Sequence, residues 1–316
     1  MRNHITTHML PTPTFHHLHL NSLDPDAAIE FYKMHFPSSK RTTWNGEPAL
    51  ACANDALVLF TKVDTPPVVE PQSAFWHFGW HVTDARKSLE TFRRDRTVKL
   101  LPLYTSDEGD SVLISSDTWP GVGGTLGLNR SQIAEARANG VKPKGGAGFA
   151  YMEGPDGALV EYAGDYPAER FNHIHLYQED PFCAQLWYRR HLNAPAMDGR
   201  ASPKPMTEAN CKVERGPDRT WPCLEREGMF RAPRAAVMLG DVALTWYPRQ
   251  GDAPLASPRG QLIDHIGLGV VNLDAWIDKL KSEDVTFLEE PYPFGDTRAV
   301  LIEGPSREAL ELVEVS

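Results

Sequence analysis

The sequence predicts an α+β chain built from four βαβββ modules, and three observations carry that prediction. Strand-then-helix text occurs four times, each copy opening on a histidine: His17-Leu18-His19, His77-Phe78-Gly79, His173-Ile174-His175 and His265-Ile266-Gly267. Seven residues after that histidine stands an Asp or Asn in every copy: Asp24, Asp84, Asp180 and Asn272. Two copies close on related turns, Gly154-Pro155-Asp156-Gly157 and Gly304-Pro305-Ser306-Arg307, with Glu161 and Glu311 each seven residues past the first glycine. With 12 histidines in 316 residues, four in register by chance is roughly two in a million, so the copies are read as an internal repeat.

In the first module, residues 15–22 alternate as a strand. Asp24 and Asp26 flank Pro25 as N-cap and first-turn residues of a helix. Ala28, Ile29, Phe31, Tyr32 and Phe36 give that helix one apolar face. Strand text at 48–53, an Asn54-Asp55 turn and Ala56–Phe60 complete the unit, and Pro66, Pro67 and Pro71 mark the connector. The second module opens at Phe75, with a helix from Asp84 to about Arg94 and a strand at 98–104. Residues 105–147 leave the pattern as a Gly- and Ser-rich insertion, with a helix expected over Arg130–Asn139 and stopped by Gly140. A stretch of that length suits a lid or binding loop. Phe149–Glu153 and Ala158–Tyr162 are the closing strands. The third module runs from Phe171 to about Arg249 with an insertion at 197–228, and the fourth from Ile263 to the end. The expected organisation is a tail at 1–14, an N-terminal domain of two modules at 15–167 and a C-terminal domain of two modules at 168–316.

A hydrophobic content of 41% and charged content of 23% are those of a soluble globular chain. The formal charge of −10 argues against nucleic acid or an anionic membrane as partner, leaving small molecules. No apolar run is long enough to cross a bilayer, and the first 14 residues lack the apolar core of a signal peptide. Cys52, Cys183, Cys211 and Cys223 show no Cys-x-x-Cys spacing, which predicts free thiols and a cytoplasmic protein. Nothing in the sequence fixes the oligomeric state.

The strand-initial histidines, the Gly-Pro-Asp-Gly turn and the glutamate on the last strand resemble the vicinal oxygen chelate superfamily, which includes glyoxalase I, bleomycin-resistance proteins and extradiol dioxygenases. The resemblance covers nearly the whole chain apart from the tail and the two insertions. It implies that modules pair into two cupped, incomplete mixed β-barrels with helices outside and a divalent metal on each inner surface. Carried over residue by residue, His17, His77 and Glu161 form one expected triad, and His173, His265 and Glu311 the other.

The donor chemistry agrees. Two neutral imidazoles and one carboxylate on separate strands can occupy one face of a metal and leave positions open, the pattern of non-haem Fe(II); Mn(II), Zn(II) or Ni(II) are alternatives. Strand alternation turns His19, His81 and His175 to the same side as His17, His77 and His173, as substrate-contacting or supporting groups, and turns His16 away. Tyr151 and Tyr162 are candidate acids, and Tyr104 and Tyr292 lie beside loops from which they could reach a substrate. The second carboxylate of glyoxalase I is missing, because Ala56–Phe60 and Val242–Trp246 contain no Asp or Glu. The extradiol signature is incomplete at Gly154 and lacks its upstream histidine. The sequence thus predicts a metal-dependent enzyme, dioxygenase-like with Fe(II) or Mn(II), on a small oxygenated organic substrate. A metal-dependent lyase or isomerase is the alternative, and a bleomycin-resistance-like binding protein the reading from another class.

Overall fold

The structure, a computed structural model, describes residues 10–101, 149–164, 166–199, 204–213, 234–249 and 253–315, with short pieces between 103 and 145 and at 229–230. The tail at 1–9, most of the 105–147 insertion and most of its expected helix, much of the 197–228 insertion, Cys223 and the side chain of Tyr104 lie outside these residues.

All four modules are present. The first contains β1 (Thr14–Ser22), α1 (Pro25–His35), β2 (Lys40–Trp44), β3 (Glu47–Ala51) and β4 (Leu57–Lys62). The second contains β5 (Phe75–His81), α2 (Ala85–Arg94), β6 (Lys99–Leu101), β7 (Phe149–Glu153) and β8 (Leu159–Ala163). The third contains β9 (Arg170–Gln178), α3 (Pro181–His191), β10 (Ala235–Leu239) and β11 (Val242–Pro248). The fourth contains β12 (Ile263–Val270), α4 (Leu273–Ser282), β13 (Tyr292–Phe294), β14 (Thr297–Glu303) and β15 (Ala309–Glu314).

The position-seven residues explain where the helices begin. Asp24, Asp84 and Asn272 accept from the backbone N–H of Ala27, Lys87 and Ala275, satisfying donors that have no partner inside the helix. Asp180 is diverted: its Oδ1 accepts from Val213 N at 2.8 Å, tying the second insertion to the start of α3. Cys183 of α3 reinforces the tie through a disulfide to Cys211. This corrects the expectation of free thiols for Cys183 and Cys211. Cys52 is free and buried. Among the described residues, no helix is long and apolar enough to cross a membrane.

The modules do not pair as the sequence order suggested. One eight-stranded sheet runs β13-β14-β15-β12-β1-β4-β3-β2 and joins the fourth module to the first. A seven-stranded sheet runs β10-β11-β9-β5-β8-β7-β6 and joins the third to the second. We call these cup A and cup B. The boundary near residue 167 therefore separates modules but not cups.

The two cups meet through their apolar backs. Phe15 stacks on Phe171, and Phe36 of the chain leaving α1 stacks on Trp80 of β5 at 4.2 Å. On the other side Tyr188 of α3 packs on Trp246 and donates to Glu308, which is fully buried, at 2.9 Å. Leu18, Ile174 and Ile266 belong to this shared core, so the histidines that alternate with them in β1, β9 and β12 fall on the opposite faces of their strands.

Candidate metal centres

Each centre forms where two first strands run side by side. In cup A, β1 and β12 are antiparallel with His19 opposite His265; in cup B, β9 and β5 are antiparallel with His175 opposite His77. The carboxylate comes from the neighbouring parallel strand: Glu311 lies opposite Gly267 and Glu161 opposite Gly79. The same six donors named from sequence are thus brought together, but regrouped. His77 and Glu161 meet His173 rather than His17, and His265 and Glu311 meet His17 rather than His173. The cause is the crosswise pairing of modules.

In cup A, His17 Nε2 is 3.3 Å from His265 Nε2 and 3.4 Å from Glu311 Oε2, with His265 Nε2 4.0 Å from Glu311 Oε1. Donors held about 2.0–2.2 Å from one ion at ordinary coordination angles are themselves about 3.0–3.4 Å apart, so the two spacings from His17 fit a single ion. Glu311 Oε2 is buried without a hydrogen bond, which suits an atom meant for a cation. Burial holds His17 well below the usual imidazole range and pushes the Glu311 carboxyl up. The imidazole is therefore in its ligating neutral form, and a cation would restore the charge that burial opposes.

In cup B, Glu161 Oε2 is 2.9 Å from His77 Nε2, and Glu161 Oε1 is 3.8 Å from His173 Nε2. His175 Nδ1 lies 4.0 Å from Glu161 Oε2, and one donor atom from each of the four residues lies within 4.8 Å of the others. The residues of both cups fit a divalent ion.

The glycines opposite the carboxylates make room for the rings. A Cβ on Gly267 would lie 2.1 Å from Cε1 and Nδ1 of His17, and one on Gly79 would lie 2.6 Å from His173 Cε1. By the same symmetry, Leu59 and Thr245 occupy the places where a second carboxylate would stand, opposite His19 and His175. The absence read from sequence holds in the structure, and the odd modules carry an imidazole beside the gap.

One feature escaped strict alternation. Every position-zero histidine is preceded by a residue at a β-bulge: His16, Trp76, Asn172 and Asp264 have no partner in the central ladders. A bulge re-aims a side chain, and here it sets the residue beside its histidine. His16 Nδ1 lies 2.9 Å from His17 Nδ1, Asn172 Oδ1 lies 3.2 Å from His173 Nδ1, and Asp264 Oδ1 lies 2.6 Å from His265 Nδ1. Trp76 packs edge-on to His77. His16, expected to face away, is therefore part of the cup A centre. Burial pushes His16 down to about 4. Burial acts to raise Asp264, but its hydrogen bond to His265, the charges of His265 and Arg259 and the Gly260 N–H together outweigh that and hold the carboxyl at about 2. The ionised Asp264 fixes His265 with Nε2 toward Glu311, an arrangement that raises ligand basicity.

The remaining candidates separate by location. His19 stacks on His265 and bonds to Thr61, inside cup A. His81 stacks on Tyr166 and lines the cup B cavity. Tyr151 packs edge-on to His77 at 5.1 Å. Tyr292 donates to Glu311 Oε1 at 2.5 Å, supporting the carboxylate rather than facing open space. Tyr162 turns away from Glu161 into the core against Phe92, which removes it as a site acid. Arg298 pairs with Asp274 and Glu314 on the surface. A cavity of about 380 Å³ opens over cup B, lined by Glu161, His173 and His175 among others.

Residues 170–312 match the family model of the Glyoxalase/Bleomycin resistance protein/Dioxygenase superfamily. Among solved structures, glyoxalase I from Zea mays covers 96% of this chain and 92% of its own, with a TM-score of 0.59 at 15% identity. A putative dioxygenase from Bacillus subtilis covers 97% of this chain and 86% of its own, with a TM-score of 0.56 at 10% identity. At these identities the likeness is one of fold. No curated protein matches the sequence. The family match is carried by residues 170–312, and the fold shared with these structures extends over nearly the whole chain.

Proposed function

We propose that this protein is a metal-dependent enzyme acting on a small organic substrate with vicinal oxygens, and that cup B is its reaction centre. The observation that carries this is the coincidence of four clustered donors, His77, Glu161, His173 and His175, with the cavity above them. The donor set, imidazole and carboxylate with no thiolate, suits Fe(II) or Mn(II), and the gap at Thr245 takes away the carboxylate that a glyoxalase-type proton transfer would use. The reading is therefore dioxygenase-like. A bound divalent ion would polarise adjacent substrate oxygens and, if redox-active, engage O₂.

The chain's own groups supply position and exclusion of water. Glu161 and His173, both buried, close the floor of the cavity. Tyr151, packed on His77, is placed as a proton donor, and His81 lies along the wall beside His173. Cup A is proposed as a second metal centre that holds its ion in a more heavily braced shell.

The test is elemental analysis of protein purified anaerobically, followed by O₂-uptake assays with oxygenated substrates. Iron or manganese with substrate-dependent O₂ consumption supports the reading. Zinc or nickel without O₂ consumption moves it to a lyase or isomerase. Failure to bind any metal on reconstitution overturns it in favour of a binding protein.

A further inference from the structure

The cavity over cup B has a charge pattern unlike the rest of the molecule. The chain carries a net −10, yet among the described residues the fixed charges on this wall besides Glu161 are the guanidiniums of Arg170 and Arg234. Glu161 is committed to the donor cluster at the floor. Arg170 Nη1 is 3.2 Å from Asp241 Oδ2, with both side chains more than a third exposed (38% and 42%), so this pair holds it weakly and leaves most of its five N–H donors available. The remaining wall includes Phe149, Tyr166, Met197 and Met238, which suit a hydrocarbon or aromatic body. A volume of about 380 Å³ lies at the small end of ligand pockets.

Resting on the reading of cup B as a reaction centre, we propose that its substrate is a small organic carboxylate, with its charged end held by Arg170 and Arg234 and its apolar body against Phe149, Tyr166 and the two methionines. Guanidinium recognises carboxylate through paired N–H donors, so the arginines select the anion and orient its neighbouring oxygens toward the floor.

The test uses the full chain reconstituted with Mn(II) and two probes of nearly equal size, benzoylformate and its uncharged methyl ester. Both carry vicinal oxygens, and only one carries the charge. Isothermal titration should show the acid binding at least tenfold more tightly than the ester. Arg170→Gln/Arg234→Gln should reduce that preference at least tenfold with metal content unchanged. Equal affinities, no binding of either probe, or a preference that survives the double substitution overturns the proposal. The same titration on metal-stripped protein separates the two readings. A charge preference in a protein that never binds metal keeps the arginine site and removes the metal centre. Normal metal binding without charge preference removes the arginine site alone.

Discussion

Cup A and cup B use the same scaffold and the same donor types, yet differ in what stands behind the donors. In cup A, Asp264 braces His265, Tyr292 braces Glu311, and His16 sits against His17. Phe294 stacks over His17. In cup B the corresponding neighbours are neutral Asn172 and Trp76, and a cavity reaches the donors. The same difference extends to the turns that lead to the carboxylates. In module four Glu308 is buried against Tyr188 OH and Ser306 N, whereas in module two the matching residue is Ala158. The duplicated cups differ in their supports: the donors of cup A are the more heavily braced, and a cavity reaches those of cup B.

The largest effect that tests this comparison comes from pairs of histidines. With two metal equivalents in the parent, His77→Ala/His173→Ala should leave one, because both residues serve cup B. His17→Ala/His77→Ala should leave none. Equal losses in the two variants would break the crosswise grouping.

The next effect is on stability against pH. Burial, against which the hydrogen bonds from Tyr188 and Ser306 work, pushes the Glu308 carboxyl up to about 7 from an ordinary 4.5. The folded state therefore binds more protons than the unfolded state between those values, and stability falls as pH rises through that window, by about 3 kcal/mol in all. Denaturant titrations across pH 4–8 should show that fall, and Glu308→Gln should flatten it. An unchanged slope in the variant would assign the dependence elsewhere.

Gly267→Ala drives a methyl into the His17 ring and should cost about 1–3 kcal/mol while emptying cup A alone; Gly79→Ala should do the same to cup B. Chemical denaturation paired with metal analysis reads both. The smallest effect expected is in affinity. Asp264→Asn should weaken metal binding in cup A by about 10- to 100-fold and leave cup B as it was. Asn172→Asp should tighten cup B, and competition with a chelator reads each change.

Much of this was legible in the sequence, for local reasons. The internal repeat picks out His17, His77, His173 and His265, the turn-to-glutamate spacing picks out Glu161 and Glu311, and the family resemblance implies that these six are metal donors. Which donors meet was not legible. Four similar modules carry nearly the same strand edges, and the choice of partner is made by long-range packing such as Phe36 on Trp80 and Tyr188 on Glu308. His16 and Asp264 were hidden because a bulge suspends the alternation that the reading relies on. The Cys183–Cys211 bond was hidden because it joins a helix to an insertion with no motif to announce the pair.

The crosswise pairing also makes the two cups nested along the chain. Cup B closes between strands about 100 residues apart, and its last strand ends at Pro248. Cup A needs β1 and β12, about 250 residues apart. During synthesis the inner cup can be complete while the final module is still being made, and His17 waits longest for its partners. Closing the outer loop from an open chain costs only about 0.8 kcal/mol more than closing the inner one, and a finished inner cup shortens the loop still to be closed. Assembly from the inside outward is therefore written into the order of the modules, with the enclosing cup serving as the clasp.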